Sequence, residues 1–128
     1  MRSDSSRRSR GAQKIGEVLG QTPEQVERSL GDVAPQLATY VLETIYGDIY
    51  QNPTLDSRTR QIVTVAALAT LGTAAPQLRT HIGGALRCGV TREELVEIMM
   101  QLAPFAGVAA AINGVAACRE VFAAADKS

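Results

Sequence analysis

The sequence predicts an all-α protein, a compact helical domain of about six helices. No stretch of the 128 residues alternates apolar and polar side chains over several positions with β-branched filling, as a half-buried strand would. Apolar residues instead recur at spacings of three and four in several segments. Glycine, proline and capping sequences stand where such helices would begin and end.

The amino-terminal part predicts a tail and two short helices. Residues 1–10 hold four arginines against one aspartate, which is typical of a flexible basic tail. Residues 10–19 could form the first helix, ended by Gly20. Thr22-Pro23-Glu24-Gln25 has the order of a capping box with proline at the first helical position, so a helix should follow to about Leu30.

The next helix is predicted to run from a cap at Asp32 to about Gln51. Its apolar face repeats at helical spacing, and Asn52-Pro53 should end it because the residue before proline avoids the helical region. The residues of that face are Leu37, Tyr40, Val41, Thr44, Ile45 and Asp48.

The four remaining helices have clear boundary signals. Asp56 should cap a helix over residues 57–71 that is apolar on almost every side, which predicts a central position. A helix over residues 75–88 should follow, then a second capping box at Thr91-Arg92-Glu93-Glu94. Pro104 should end or kink that helix. The last helix should cover residues 108–124. We expect one domain, which spans residues 11–126.

Composition excludes several classes of function. Thirteen basic residues balance thirteen acidic ones, which argues against a nucleic-acid-binding protein. A single histidine, His81, excludes multi-histidine zinc sites, and two separate cysteines exclude a dithiol motif. No nucleotide-binding motif is present, so we expect neither a cofactor nor a metal. Reduced cysteines and the lack of a secretory signal predict a cytoplasmic protein.

One uncharged stretch, residues 98–118, is long enough to cross a membrane. Polar residues, glycines and Pro104 interrupt it, and alanine contributes little to insertion, so we expect no membrane span but two buried helices. Two of the predicted helices are largely uncharged on every side, and one small monomer has too little interior to bury both. We therefore expect another subunit to cover part of this surface, in a homo-oligomer.

Few residues could carry chemistry. His81 lies at the edge of an apolar stripe, where it could transfer protons at a pocket wall or be a structural histidine. Arg58 and Arg60 could bind a substrate carboxylate or form surface ion pairs. Asp48, beside Gly47 within a helical pattern, could act as an acid or base, orient an arginine, or be a helix-end aspartate.

The ordered motifs resemble the carboxymuconolactone decarboxylase family over about residues 11–124. The likeness is carried by these segments: Leu55-Asp56-x-Arg58-Thr59-Arg60 with the apolar run after it, Leu78-Arg79-x-His81-Ile82-x-Gly84-Ala85-Leu86, Gly89-Val90-Thr91-x-Glu93-Glu94-Leu95, Phe105-Ala106-Gly107-Val108, and Tyr46-Gly47-Asp48-Ile49-Tyr50. This resemblance implies an all-helical fold that assembles as a trimer of dimers.

The resemblance also implies an activity: cofactor-free decarboxylation of 4-carboxymuconolactone to an enol lactone of 3-oxoadipate. On that basis His81 is the proton donor or oxyanion partner, and Asp48 tunes it. Arg58 and Arg60 bind the carboxylate of a small anionic lactone or keto acid. Tyr46 and Tyr50 line the substrate pocket.

A related peroxidase branch carries a Cys-x-x-Cys-x-x-x-His pattern, of which only His81 is present here. Ala74 and Gln77 stand at the cysteine positions, and Gln61 lies near the branch's glutamate, so we expect no peroxidase activity.

Tyrosines stand where the catabolic decarboxylases usually carry tryptophan, and Pro104 and Ala109 also depart from the pattern. Two alternatives follow: a decarboxylase, isomerase or cyclase for another intermediate in secondary metabolism, or a non-catalytic ligand-binding oligomer.

Overall fold

The structure, a computed structural model, describes residues 5–128, and it confirms an all-helical protein. Seven α-helices and two irregular helical segments make up this part of the chain, and none of its residues forms a strand. Contacts divide the chain into two compact units, residues 1–56 and residues 57–128. A single domain over residues 11–126 stays a prediction.

The first unit contains three α-helices and the two irregular segments. The α-helices are α1 (Ser5–Leu19), α2 (Pro23–Leu30) and α3 (Pro35–Thr39). A π-helical segment, Tyr40–Tyr46, continues directly from α3, and a single 3₁₀ turn, Ile49–Gln51, follows. Because α1 packs along the π-helical segment, the two bury Ile15, Val18, Leu42 and Tyr46.

Gly11 brings the backbones of these two helices together. A Cβ atom at Gly11 would lie 1.7 Å from the carbonyl oxygen of Leu42, far inside van der Waals contact. Only glycine therefore fits at this crossing of α1 with the π-helical segment.

Three sequence predictions for the first unit were wrong. Helix α1 begins at Ser5 and not near Arg10, because Arg7 and Arg10 find acidic partners that hold them in the fold. Asp32 does not cap α3, whose N-cap is Ala34 with Pro35 at its first position. The predicted helix to Gln51 is broken, since the π-helical segment carries an extra residue per turn and shifts its side chains off the regular spacing.

The second unit is a bundle of four helices, α4 (Ser57–Leu71), α5 (Ala75–Arg87), α6 (Arg92–Ala106) and α7 (Val108–Asp126). The predicted boundaries of α4 are confirmed, and those of α5 and α7 differ by at most two residues. Val65, Ile82, Leu95, Met99 and Cys118 are among the residues of its apolar core.

Helix boundaries follow the local signals well. Both predicted capping boxes are present, at Thr22 with Gln25 and at Thr91 with Glu94. Helix α6 does not end at Pro104 but continues to Ala106. Pro104 stands in the last turn of the helix, where the loss of its one amide donor does not interrupt a longer run of hydrogen bonds. The helix ends at Gly107, whose φ of 100° and ψ of 151° are essentially confined to glycine.

Helix α4, predicted to be central, contacts α5, α6 and α7, but it buries only one face within its unit. Gln61, Val65 and Ala69 are buried at four-residue spacing, whereas Val63 and Leu71 are 56% and 64% exposed. Helix α7 also leaves most of its surface exposed, since little of it is buried within the chain. By length and composition alone it could cross a membrane.

Candidate functional site

His81 lies on α5 and contacts Gln61 of α4. Its Nδ1 atom is 3.0 Å from Oε1 of Gln61, and the imidazole is half-buried while Gln61 is completely buried. This pair is the core of the candidate site. It brings a group that titrates near neutral pH against a fixed amide.

The helical spacing of both helices explains this contact. Gln61 occupies the first position of the buried face of α4, ahead of Val65 and Ala69. His81 lies beside the buried face of α5, three residues after Leu78 and four before Ala85. Because α4 packs on α5, a polar residue on one buried face meets a polar residue at the edge of the other.

Burial determines the charge of the ring. Removal from water disfavours the imidazolium, so the pKa of His81 lies below its ordinary value. The ring is therefore neutral at pH 7. The ring makes its hydrogen bond to Gln61 through Nδ1. Within residues 5–128, every buried side-chain nitrogen or oxygen has a hydrogen-bond partner, so a ring nitrogen without one is not buried. The second nitrogen, Nε2, therefore lies on the accessible side of the ring.

Arg58 is held by a glutamate within the same unit. Its Nη2 donates to Oε2 of Glu94 at 2.5 Å, and Oε1 of Glu94 accepts from the amide of Thr91 at 2.9 Å. The pKa of Glu94 is lowered, first by the hydrogen bond from Arg58 and then by the Thr91 amide. The capping glutamate of α6 thus also positions the first turn of α4, where Arg60 is half-buried.

The other predicted site residues lie in the first unit. Asp48 accepts from Nε and Nη2 of Arg7, at 3.1 Å and 2.6 Å to Oδ2, and lies 3.8 Å from Arg10. Arg7 also lies 3.6 Å from Glu43, which is 1% exposed on the π-helical segment. Two acidic residues thus share the arginines of α1, and Asp48 has a structural partner of its own.

Tyr46 and Tyr50 form an aromatic pair in this unit. Their ring centroids lie 4.6 Å apart with planes tilted by 38°. Tyr46 is buried and Tyr50 is half-buried, so the pair rests on the core of its unit. Asp48 lies between them in sequence but points its carboxylate to Arg7.

Sequence reasoning missed three partners of the predicted residues: Gln61, Glu94 and Arg7. Gln61 had a signal, since it is the only polar residue at the buried spacing of α4. Glu94 had one as well, through its capping box. The pairing of Arg7 with Asp48 and Glu43 spans about forty residues of sequence, and no local pattern could have indicated it.

The two cysteines lie in the second unit. Cys88 and Cys118 form no disulfide, and burial raises the pKa of the Cys118 thiol to about 11. Residues 5–128 contain no group of three or more histidine, cysteine or acidic side chains placed to hold a metal ion. Cys118 is therefore an inert core residue.

The second unit also has a cavity of about 220 Å³ between α4, α5 and α7. Its wall is apolar apart from Asn113 and the pair of Arg79 with Glu120, which lie 3.7 Å apart. Ala74, at a cysteine position of the peroxidase pattern, lines it. With alanine at that position, the cavity wall has no thiol there.

Comparison with known proteins identifies the family. The family model for the carboxymuconolactone decarboxylase family matches residues 35–120. The chain is 31% identical over 122 residues to 4-carboxymuconolactone decarboxylase of Acinetobacter baylyi, covering 93% of this chain and 89% of that protein. It is also 30% identical over 101 residues to an uncharacterized 15.0 kDa protein of Paracoccus denitrificans, covering 78% and 75% respectively. The chain therefore belongs to the carboxymuconolactone decarboxylase family.

Proposed function

We propose that this protein is a cofactor-independent carboxy-lyase that decarboxylates a small carboxylated lactone, of the 4-carboxymuconolactone type. Family membership and the similarity to the Acinetobacter baylyi enzyme support a decarboxylase. The observation that carries the proposal is His81, the one histidine of the chain, half-buried against Gln61 with Nε2 accessible.

The chemistry needs only a proton carrier and an anion site. In such a substrate the carbon–carboxylate bond breaks and carbon dioxide leaves. The electron pair passes through the conjugated double bond into the lactone carbonyl, which gives a dienolate. His81 stabilises that oxyanion or delivers a proton to the ring carbon, and it regains the proton from water. No step requires an electron acceptor.

Arg58 and Arg60 complete the proposal as carboxylate-binding residues. Arg58 is paired with Glu94 and would have to exchange that partner for the substrate. Tyr46, Tyr50 and Asp48 are proposed to shape the pocket and tune His81. Within its own unit, Asp48 pairs with Arg7.

A direct assay tests the reaction. The full-length protein would be mixed with enzymatically generated 4-carboxymuconolactone, and ultraviolet absorbance and carbon dioxide release would be followed together. The Acinetobacter baylyi relative is the positive control. We expect stoichiometric loss of lactone and release of carbon dioxide. A folded protein that leaves the lactone intact while the relative consumes it would eliminate this substrate.

The aromatic pair favours a second candidate function, the conversion of another lactone or keto acid in secondary metabolism. Tyr46 and Tyr50 stand where the resemblance leads one to expect tryptophan, and they contact each other directly. The changed segment would shape the pocket for a different ring. Turnover of other carboxylated lactones, with 4-carboxymuconolactone left intact, would select this candidate.

We also propose that the chain assembles as a homo-oligomer, a trimer of dimers in the cytoplasm, without nucleic acid or membrane. Phe105, Val108 and Ile112 are 81%, 64% and 62% exposed around the α6–α7 turn, more apolar surface than a monomer usually leaves open. Sedimentation velocity should give the mass of six chains. A monomer at micromolar concentration would contradict this assembly.

A further inference from the structure

We propose that Gln61 is a positioning residue: it keeps a proton on Nδ1 of His81, so that Nε2 is the atom that gains and loses the proton during turnover. The proposal rests on the proposed function for its chemical meaning. Its geometry, however, is independent of any substrate.

The geometry of the contact determines where the proton lies. Oε1 of Gln61 is an amide oxygen, which only accepts hydrogen bonds, and it lies 3.0 Å from Nδ1. A proton on Nδ1 makes this contact a hydrogen bond. With the proton on Nε2, two lone pairs would face each other at the same distance.

Burial makes the preference strong. Gln61 is 0% exposed, so water cannot replace His81 as a donor to the amide oxygen. The low local dielectric strengthens the hydrogen bond that is made. The half-buried ring also has a fixed side toward α4 and an accessible side that bears Nε2.

A glutamine suits a proton carrier that rests neutral. A carboxylate at position 61 would favour the imidazolium, whereas a neutral amide accepts from Nδ1 without adding charge. Nδ1 carries a proton in both the neutral ring and the imidazolium. The bond to Gln61 therefore holds through the whole cycle, and the ring need not rotate between proton uptake and delivery.

The proton balance is simple in this arrangement. A hydronium ion from bulk solvent gives a proton to the lone pair of Nε2 and leaves water, which gives the imidazolium, so each turnover consumes one solvent proton and releases one carbon dioxide. In the reaction the Nε2–H bond breaks as the new carbon–hydrogen bond forms on the dienolate, and the neutral Nδ1–H ring is restored. Gln61 touches neither the substrate nor the transferred proton.

The chain offers an unambiguous measurement, because His81 is its one histidine. With ¹⁵N-labelled histidine, a long-range proton–nitrogen spectrum of the full-length protein gives the signals of this ring alone. At a pH where the ring is neutral, we expect a protonated Nδ1 and an unprotonated Nε2. The opposite assignment in the wild type would overturn the proposal outright.

Three variants separate the role of Gln61 from a general effect of substitution. Gln61→Met removes the acceptor at similar volume, and we expect the proton to move toward Nε2, the tautomer that free histidine favours. Gln61→Glu keeps an acceptor and should retain the Nδ1 proton. Gln101→Met makes the same exchange at an exposed position of α6 and should leave the spectrum unchanged.

Persistence of the Nδ1–H form in Gln61→Met would show that another group sets the tautomer, and would overturn the proposal. If that variant does not fold, the wild-type spectrum and Gln61→Glu decide. In the decarboxylation assay, Gln61→Met should lower kcat by about 10- to 100-fold, as for other partners that orient a functional histidine, with little change in KM. An Nδ1–H ring in a protein inactive on the lactone would contradict the proposed function alone.

Discussion

Replacement of His81 by asparagine should slow decarboxylation by orders of magnitude while leaving the fold intact. The asparagine amide nitrogen stands close to the place of Nδ1 and can still donate to Gln61, so the buried amide keeps its partner. What is lost is Nε2, the proton-transferring atom. Because general acid–base groups contribute about 10²- to 10⁴-fold, we expect kcat to fall by that factor.

The matched control is Thr80→Ala, one residue before His81 on α5. The Thr80 hydroxyl is exposed and donates to the carbonyl of Pro76, 3.2 Å away, so its removal should leave kcat within about twofold, as for surface changes generally. A His81→Asn variant with wild-type turnover would remove His81 from the mechanism. Equal losses in both variants would indicate damage to α5 instead.

The same variant tests the lowered pKa of His81 through stability. The unfolded chain takes up a proton as the pH falls through about 6.5, whereas the buried ring resists protonation. Unfolding is therefore favoured as pH falls from about 6.5 toward the lower folded-state pKa. The wild type should lose stability in this window by more than His81→Asn does, as measured by urea denaturation.

Gly11→Ala should strongly destabilise the first unit. The added methyl group would lie 1.7 Å from the Leu42 carbonyl oxygen and 3.3 Å from the Gly47 nitrogen, and neither backbone can move without separating α1 from the π-helical segment. Overpacking of a tight core costs roughly 1–3 kcal/mol and occasionally more. Because this clash involves backbone atoms, we expect a loss of about 3 kcal/mol, beyond any gain in helix propensity.

Gly16→Ala is the control within the same helix. A Cβ at Gly16 would meet only the Gln21 carbonyl oxygen at 3.8 Å, an ordinary contact, so this variant should gain up to about 1 kcal/mol. All three tyrosines, Tyr40, Tyr46 and Tyr50, lie in the first unit, and the chain has no tryptophan. Near-ultraviolet circular dichroism of tyrosine therefore reports on this unit. Equal melting temperatures for the two variants would refute the close crossing.

The sequence by itself determined the helical class and most helix boundaries. The capping boxes at Thr22 and Thr91 act through neighbouring backbone groups, so local chemistry suffices to locate them. The sequence also identified His81 as the one side chain suited to proton transfer at neutral pH, because composition left no competitor.

Only the tertiary structure decided what these residues contact. Arg7 appeared to belong to a solvated tail, yet it pairs with Asp48 forty-one residues away. The π-helical segment departs from the regular 3.6-residue repeat that sequence reasoning assumes. The hydrogen bond between Gln61 and His81 depends on how α4 packs on α5, and a contact between helices is set by their packing, not by the spacing within either one.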